Sequence, residues 1–148
     1  MNCELVSEYA KDLVWEGSMG VLDDQVHMFG EQYHRLFRVL GKVELVISDS
    51  PIILPVLYDK TKSPSLAALG LEKHLELDNI NFFVNRIERY DGSGRYQDER
   101  GADEMTKKIK TFLNDSGIKY VDINGDRAAV IYTLQYLLAE KEGLFQGK

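Results

Sequence analysis

Apolar positions along the chain follow two rhythms. From Leu22 they recur at Val26, Phe29, Tyr33, Leu36, Phe37 and Leu40, in steps of three and four that line one face of a long amphipathic helix. Gly41 is expected to close it. A shorter helical pattern covers 8–15 and stops before Gly17. Residues 51–58 predict another helix, with Pro51 in the first-turn position that suits proline, and residues 65–77 a further one. Ala102, Met105, Ile109, Phe112 and Leu113 mark a helix stopped by Gly117, and Val130, Leu134, Leu137 and Leu138 mark the last.

The second rhythm is the short, nearly unbroken apolar run. VELVIS (43–48), INFFV (80–84) and IKYVDI (118–123) are too short for helices and rich in β-branched and aromatic residues, and NCELV (2–6) is a fourth candidate. Such runs suit strands buried on both faces, as in parallel sheets. Strands alternating with helices predict βαβ units, hence an α/β fold with a mainly parallel sheet and flanking helices, in one domain over 1–148. Ligands bind such sheets at the carboxyl ends of the strands, which directs attention to four loops.

After VELVIS comes Asp49. A carboxylate there can organise Mg²⁺, as in P-loop proteins, or it can cap the next helix. Glu8, after the first strand, reads either as a base or metal-organising carboxylate, or as a first-turn acid complementing a helix dipole. INFFV delivers Arg86, with Arg89, Tyr90 and Arg95 just beyond. Guanidinium groups are planar, permanently charged donors suited to phosphate oxygens, and the YDGSG turn gives the segment at about 86–101 the mobility of a lid. The competing reading is surface ion pairing with Glu88, Asp98 or Glu99. Three arginines around a Gly-punctuated turn favour the anion site. In DINGD, Asn124 and Asp126 can hydrogen-bond a base edge, although Asn-Gly is also a plain turn signal and Asp126 a plain helix cap. His27 and His34 stand seven apart, not the four of a paired zinc motif, and read as helix-surface residues. Ser50 lacks the G-x-S-x-G context of a nucleophile elbow.

Composition narrows these options. The 148 residues, 44% apolar, suffice for one domain with a real core. A net charge of −6 argues against general nucleic-acid binding and leaves room only for a local basic site. Cys3 is the single cysteine, so no internal disulfide forms. No apolar stretch approaches the roughly 18 residues of a membrane span, and the N-terminus lacks signal-peptide character. A cytoplasmic location is expected, that of the host if the chain is phage-encoded.

The segments ELVSEYAKDLV, VELVISDSPIIL and NRIERYDGSGRYQDERGADEMTKKIKTFLNDSGIKYVDING resemble the kinase-like P-loop ATPases common in bacteriophages. These are relatives of the nicotinamide-riboside kinase domain, often described as AAA-type ATP-binding proteins. The likeness covers nearly the whole chain. It implies that Asp49 is the Walker B-type residue near Mg²⁺, that Arg86, Arg89 and Arg95 belong to a lid over nucleotide phosphates, that Glu8 lies near the acceptor pocket, and that Asn124 to Asp126 lie near the base. The implied cofactor is an ATP-like nucleotide with Mg²⁺.

One departure stands out. The family's G-x-x-x-x-G-K-[ST] loop occurs nowhere in the chain, which begins at about the point where the family's first helix has ended. The phosphate cradle, its lysine and the Mg²⁺-binding hydroxyl have no counterpart. Phosphoryl transfer is almost wholly positioning and charge stabilisation, so this loss should cripple it. The family's first strand is central in its sheet. Without it, the strands at 43–48 and 80–84 are expected either to close on each other or to be covered by another copy of the chain, predicting a homo-oligomer. The leading expectation is a non-catalytic protein that binds a small nucleotide-like or phosphate ligand, with sequestering a nucleotide signal as one use. The alternatives are a nucleoside or nucleotide kinase or ATPase, and an interaction module without ligand.

Overall fold

The strand–helix alternation is present in a computed structural model, which describes residues 1–87 and 99–146. The order is β1 (Cys3–Val6), α1 (Tyr9–Glu16), a 3₁₀ turn (Met19–Asp23), α2 (Gln25–Phe37), β2 (Leu45–Ser48), α3 (Leu54–Tyr58), α4 (Pro64–Leu75), β3 (Phe82–Asn85), α5 (Glu99–Asp115), β4 (Val121–Asn124) and α6 (Arg127–Gln146). The chain is α/β. Its strands form two separate parallel pairs rather than one sheet: β1 with β2, Cys3 opposite Leu45 and Val6 opposite Ser48, and β3 with β4, Phe82 opposite Val121 and Asn85 opposite Asn124. Among the described residues β2 pairs with β1 and β3 with β4.

The chain divides into two compact units. The first holds β1, β2 and α1 to α4; the second holds β3, β4 and α6; α5 runs from one into the other, the boundary falling after Phe112. In the first unit the core is Phe29, Ile52 and Leu66, with Tyr33, Leu36, Val56 and Leu77 packed around it. Phe29 and Tyr33, one turn apart on α2, stack with centroids 5.9 Å apart. Helix α4 begins at a Ser63 cap, whose hydroxyl accepts the Leu66 N–H, followed by Pro64. It approaches α3 so closely at Gly70 that a Cβ there would lie 2.6 Å from Val56 Cγ2. The connection between these helices is tied by Asp59, whose carboxylate accepts from the Thr61 N–H and hydroxyl and from the Ser63 N–H. Those bonds hold it below its ordinary value of 3.8. His74 is buried and receives the Asn79 side-chain amide on its carbonyl at 2.7 Å; burial depresses its pKa from the ordinary 6.5.

In the second unit α6 lies against the β3–β4 pair through Tyr136, whose ring meets Phe82 edge-on at 5.5 Å. Asn85 Nδ2 donates across the pair to Asp122 Oδ1 and the Ile123 carbonyl, and the Gly125 N–H closes the ladder on the Asn85 carbonyl at 2.8 Å.

Three expectations are corrected. The long helix does not start at Leu22: Asp24 caps a new helix by accepting the His27 N–H, and Leu22 belongs to the preceding 3₁₀ turn. Restarting at a cap shifts the phase, so Met28, Phe29 and Gln32 are buried while Val26 and Phe37 are 67% and 60% exposed. Pro51 precedes α3, and Pro55 occupies its first turn instead. The strands are not buried on both faces: Leu5 and Ile47, paired across β1–β2, are exposed, as is Val84. A two-stranded pair has too few neighbours to cover both its faces. Gly17 and Gly117, by contrast, end α1 and α5 as expected. Each adopts the left-handed conformation (φ +72° and +66°) that lets the following N–H return to the carbonyl of residue 13 or 113. Among the described residues no helix is long and apolar enough to cross a membrane.

Candidate functional site

The two parallel pairs gather the sequence-nominated residues at two strand ends. At the end of β1–β2 stand Glu8 and Asp49. Glu8 occupies the position before α1 and makes no side-chain cap bond. Asp49 is exposed, one residue past β2, and does not cap α3, whose preceding residue is Ile53. Ser50 beside it is buried and bonded to the Ser48 hydroxyl. Among the described residues no three His, Cys, Asp or Glu side chains converge on a point that could hold a metal.

At the end of β3–β4, Arg86 is exposed one residue past β3, and Asn124 is the exposed last residue of β4, in register with Asn85. Asp126 is committed to α6: its Oδ1 accepts the Ala128 and Ala129 N–H groups at 2.9 and 3.1 Å. The cap reading thus holds for Asp126. Arg89, Tyr90 and Arg95 lie outside the described residues, as does most of the 86–101 segment.

A basic site that the sequence did not nominate lies beside β1. A cavity of about 320 Å³ is lined by Leu5 and Val6 at the end of the strand and Ser7 just past it, by His34 and Arg35 from the last turn of α2, and by Arg38, the residue that follows the helix. The turn between β1 and α1 is fixed to α2 by a hydrogen-bonded seam. Tyr9 has the first N–H of α1, a donor with no partner inside the helix; with no cap from Glu8, it bonds to Gln32 Oε1 at 2.9 Å. Gln32 is 3% exposed, and its amide also reaches the Ser7 carbonyl at 3.4 Å. One turn on, Arg35 donates through Nη2 to Asp12 Oδ2 at 2.7 Å and through Nη1 to the Ser7 carbonyl at 3.4 Å. Its guanidinium carbon stands 4.9 Å from the centroid of the Tyr9 ring, a cation–π contact. The Tyr9 hydroxyl meets His27 Nε2 at 3.0 Å. Arg38 donates through Nε to the Arg35 carbonyl at 3.3 Å.

The signal for this site was present in the sequence as Gln32, Arg35 and Arg38 in steps of three, a spacing that keeps residues on neighbouring rows of a helix surface. Attention to strand ends passed over it, because nothing in the sequence states which side of α2 faces Ser7. Chemically the cavity offers guanidinium, imidazole and hydroxyl groups beside an apolar wall, a combination that suits a small anion. In comparisons with known proteins, no family model, no curated protein and no solved structure matches this chain.

Proposed function

We propose that this chain is a non-catalytic binding protein for a small phosphate-bearing, nucleotide-like ligand. The observation that carries the reading is the cavity at the end of β1, where two arginines, a histidine and a serine line a space of small-molecule size. The resemblance of the sequence to kinase-like P-loop ATPases supports it, with Arg86, Arg89 and Arg95 matching the phosphate-covering segment of that family. Because no G-x-x-x-x-G-K-[ST] loop occurs in the chain, the reading is capture rather than phosphoryl transfer. Sequestering a nucleotide signal in a phage-infected cell is the use this reading favours. The exposed Ile47 on β2 and Val84 on β3 support a homo-oligomer, for which sedimentation velocity gives a direct test: a monomer at all concentrations refutes it.

Thermal shift and calorimetry against mono-, di-, tri- and cyclic nucleotides test the binding reading. Binding without turnover of ATP is expected. Absence of binding to every member at high micromolar concentration refutes it, and ATP hydrolysis above background moves the chain to the kinase class.

A further inference from the structure

The cationic groups around the β1 cavity are not equivalent, and their differences define the ligand more narrowly. Arg35 is committed, its charge balanced by Asp12 and its face covered by Tyr9. Arg38 spends only Nε, on a backbone carbonyl. Among the described residues its two terminal amino groups have no partner, and neither the His34 ring nor the Ser7 hydroxyl makes a hydrogen bond. The lining contains no carboxylate, so nothing in the wall attracts a divalent cation.

We propose that this cavity is a phosphomonoester site, in which the terminal amino groups of Arg38 bind one phosphate group, the His34 imidazole and Ser7 hydroxyl complete its hydrogen bonds, and the exposed Leu5 packs against the organic part of the ligand. This rests on the phosphate-binding reading above and specifies it. One uncommitted guanidinium, with imidazole and hydroxyl donors, matches a single phosphate carrying about −1.5 to −2 charge at neutral pH. A triphosphate brings more charge than these groups offset, and it normally travels with Mg²⁺ held partly by protein groups that this wall lacks. The volume of about 320 Å³ lies at the small end of ligand sites and suits a phosphate with a sugar-sized substituent. Arg35 acts as a positioning residue for the wall: held by Asp12 and Tyr9, its guanidinium donates to the Ser7 carbonyl, while Arg38 Nε rests on the main-chain carbonyl of residue 35.

Calorimetry on the full chain at low salt, with inorganic phosphate, ribose 5-phosphate, AMP, and ATP with and without Mg²⁺, separates the outcomes. The expected result is that ribose 5-phosphate and AMP bind more tightly than inorganic phosphate, and that ATP gains nothing from Mg²⁺. Arg38→Ala should weaken AMP by about ten- to a hundred-fold, the range for losing a charged hydrogen bond, with the unfolding midpoint unchanged, and Arg38→Lys should recover part of the loss. The role of Arg35 is read from NMR: Arg35→Lys should shift the Ser7 carbonyl carbon resonance in the ligand-free protein, and an unmoved resonance removes that role. If ATP binds best, needs Mg²⁺ and ignores Arg38→Ala, this site assignment is overturned while nucleotide binding stands. If inorganic phosphate, ribose 5-phosphate, AMP and ATP all fail to bind, both readings fall.

Discussion

Replacing Gln32 with methionine tests the seam that shapes the candidate site. The two side chains are similar in length and volume, so the substitution leaves no large cavity and the thioether packs where the amide did. What is lost is the acceptor for the Tyr9 N–H, which Gln32 Oε1 meets at 2.9 Å from a position only 3% exposed. The second bond, to the Ser7 carbonyl, is long at 3.4 Å, and that oxygen keeps its contact with Arg35. The cost is therefore dominated by one stranded backbone donor, about 1–3 kcal/mol. Burying a thioether in place of an amide offsets part of it, and we expect a net loss of about 1–2 kcal/mol. For a chain of this size that is a fall in Tm of roughly 2–8 °C. Urea unfolding followed by circular dichroism should show a lower midpoint with unchanged slope. Gln135→Met, on an exposed position of α6, is the control and should stay within about 0.5 kcal/mol of the parent. Equal stability of Gln32→Met and this control would mean that the Tyr9 N–H finds another partner, and that the seam does not hold the turn.

Other consequences follow from single contacts. Gly70→Ala would place a methyl 2.6 Å from Val56 Cγ2; overpacking of about 1–3 kcal/mol outweighs a helix-propensity gain of about 1 kcal/mol, and a variant more stable than the parent would refute the close α3–α4 approach. Asp126→Ala should cost about 0.5–2 kcal/mol through loss of the α6 cap and leave ligand affinity unchanged, so a large affinity loss in calorimetry would restore the base-binding role. Burial depresses the folded-state pKa of His74 below its unfolded 6.5, so the unfolded chain binds the extra proton first. This contribution to stability is complete above about pH 6.5 and falls as the pH drops towards the folded value, with a slope of at most about 1.4 kcal/mol per pH unit. His74→Gln should flatten urea midpoints over that window, and an unchanged pH profile would remove the argument. The Asp59 contribution belongs to a separate window, present above about 3.8 and lost as pH falls through its lowered folded value.

Element types were readable in the sequence because apolar period and glycine stops are local properties: α1 ending at Gly17, α5 at Gly117 and the four short strands needed no tertiary information. Phase and burial were not readable in the same way. A periodic pattern through Leu22 and Val26 carries no mark of the break at Asp24, which exists because its carboxylate takes the His27 N–H and starts a fresh helix. Nothing local to Gln32 marks it as buried; its burial follows from the Tyr9 N–H, which takes its oxygen from another segment. Asp126 was legible as a cap because capping is local, whereas the cavity beside Ser7 was hidden because Arg35 and Arg38 reach it only through the pairing of two segments about 28 residues apart.

The register of the strands has a kinetic consequence. Every pair in β1–β2 joins residues 42 positions apart, and every pair in β3–β4 joins residues 39 apart. No turn can zip such ladders, and closing loops of that length carries an entropy cost before any strand contact repays it. The intervening helices, which form within about a microsecond, shorten the span of chain that must close before the strands meet. Substitutions in β1 or β4 should then chiefly accelerate unfolding, while those in the α2–α3–α4 core slow refolding. Four-residue strands at such separation are therefore expected to pair late in folding.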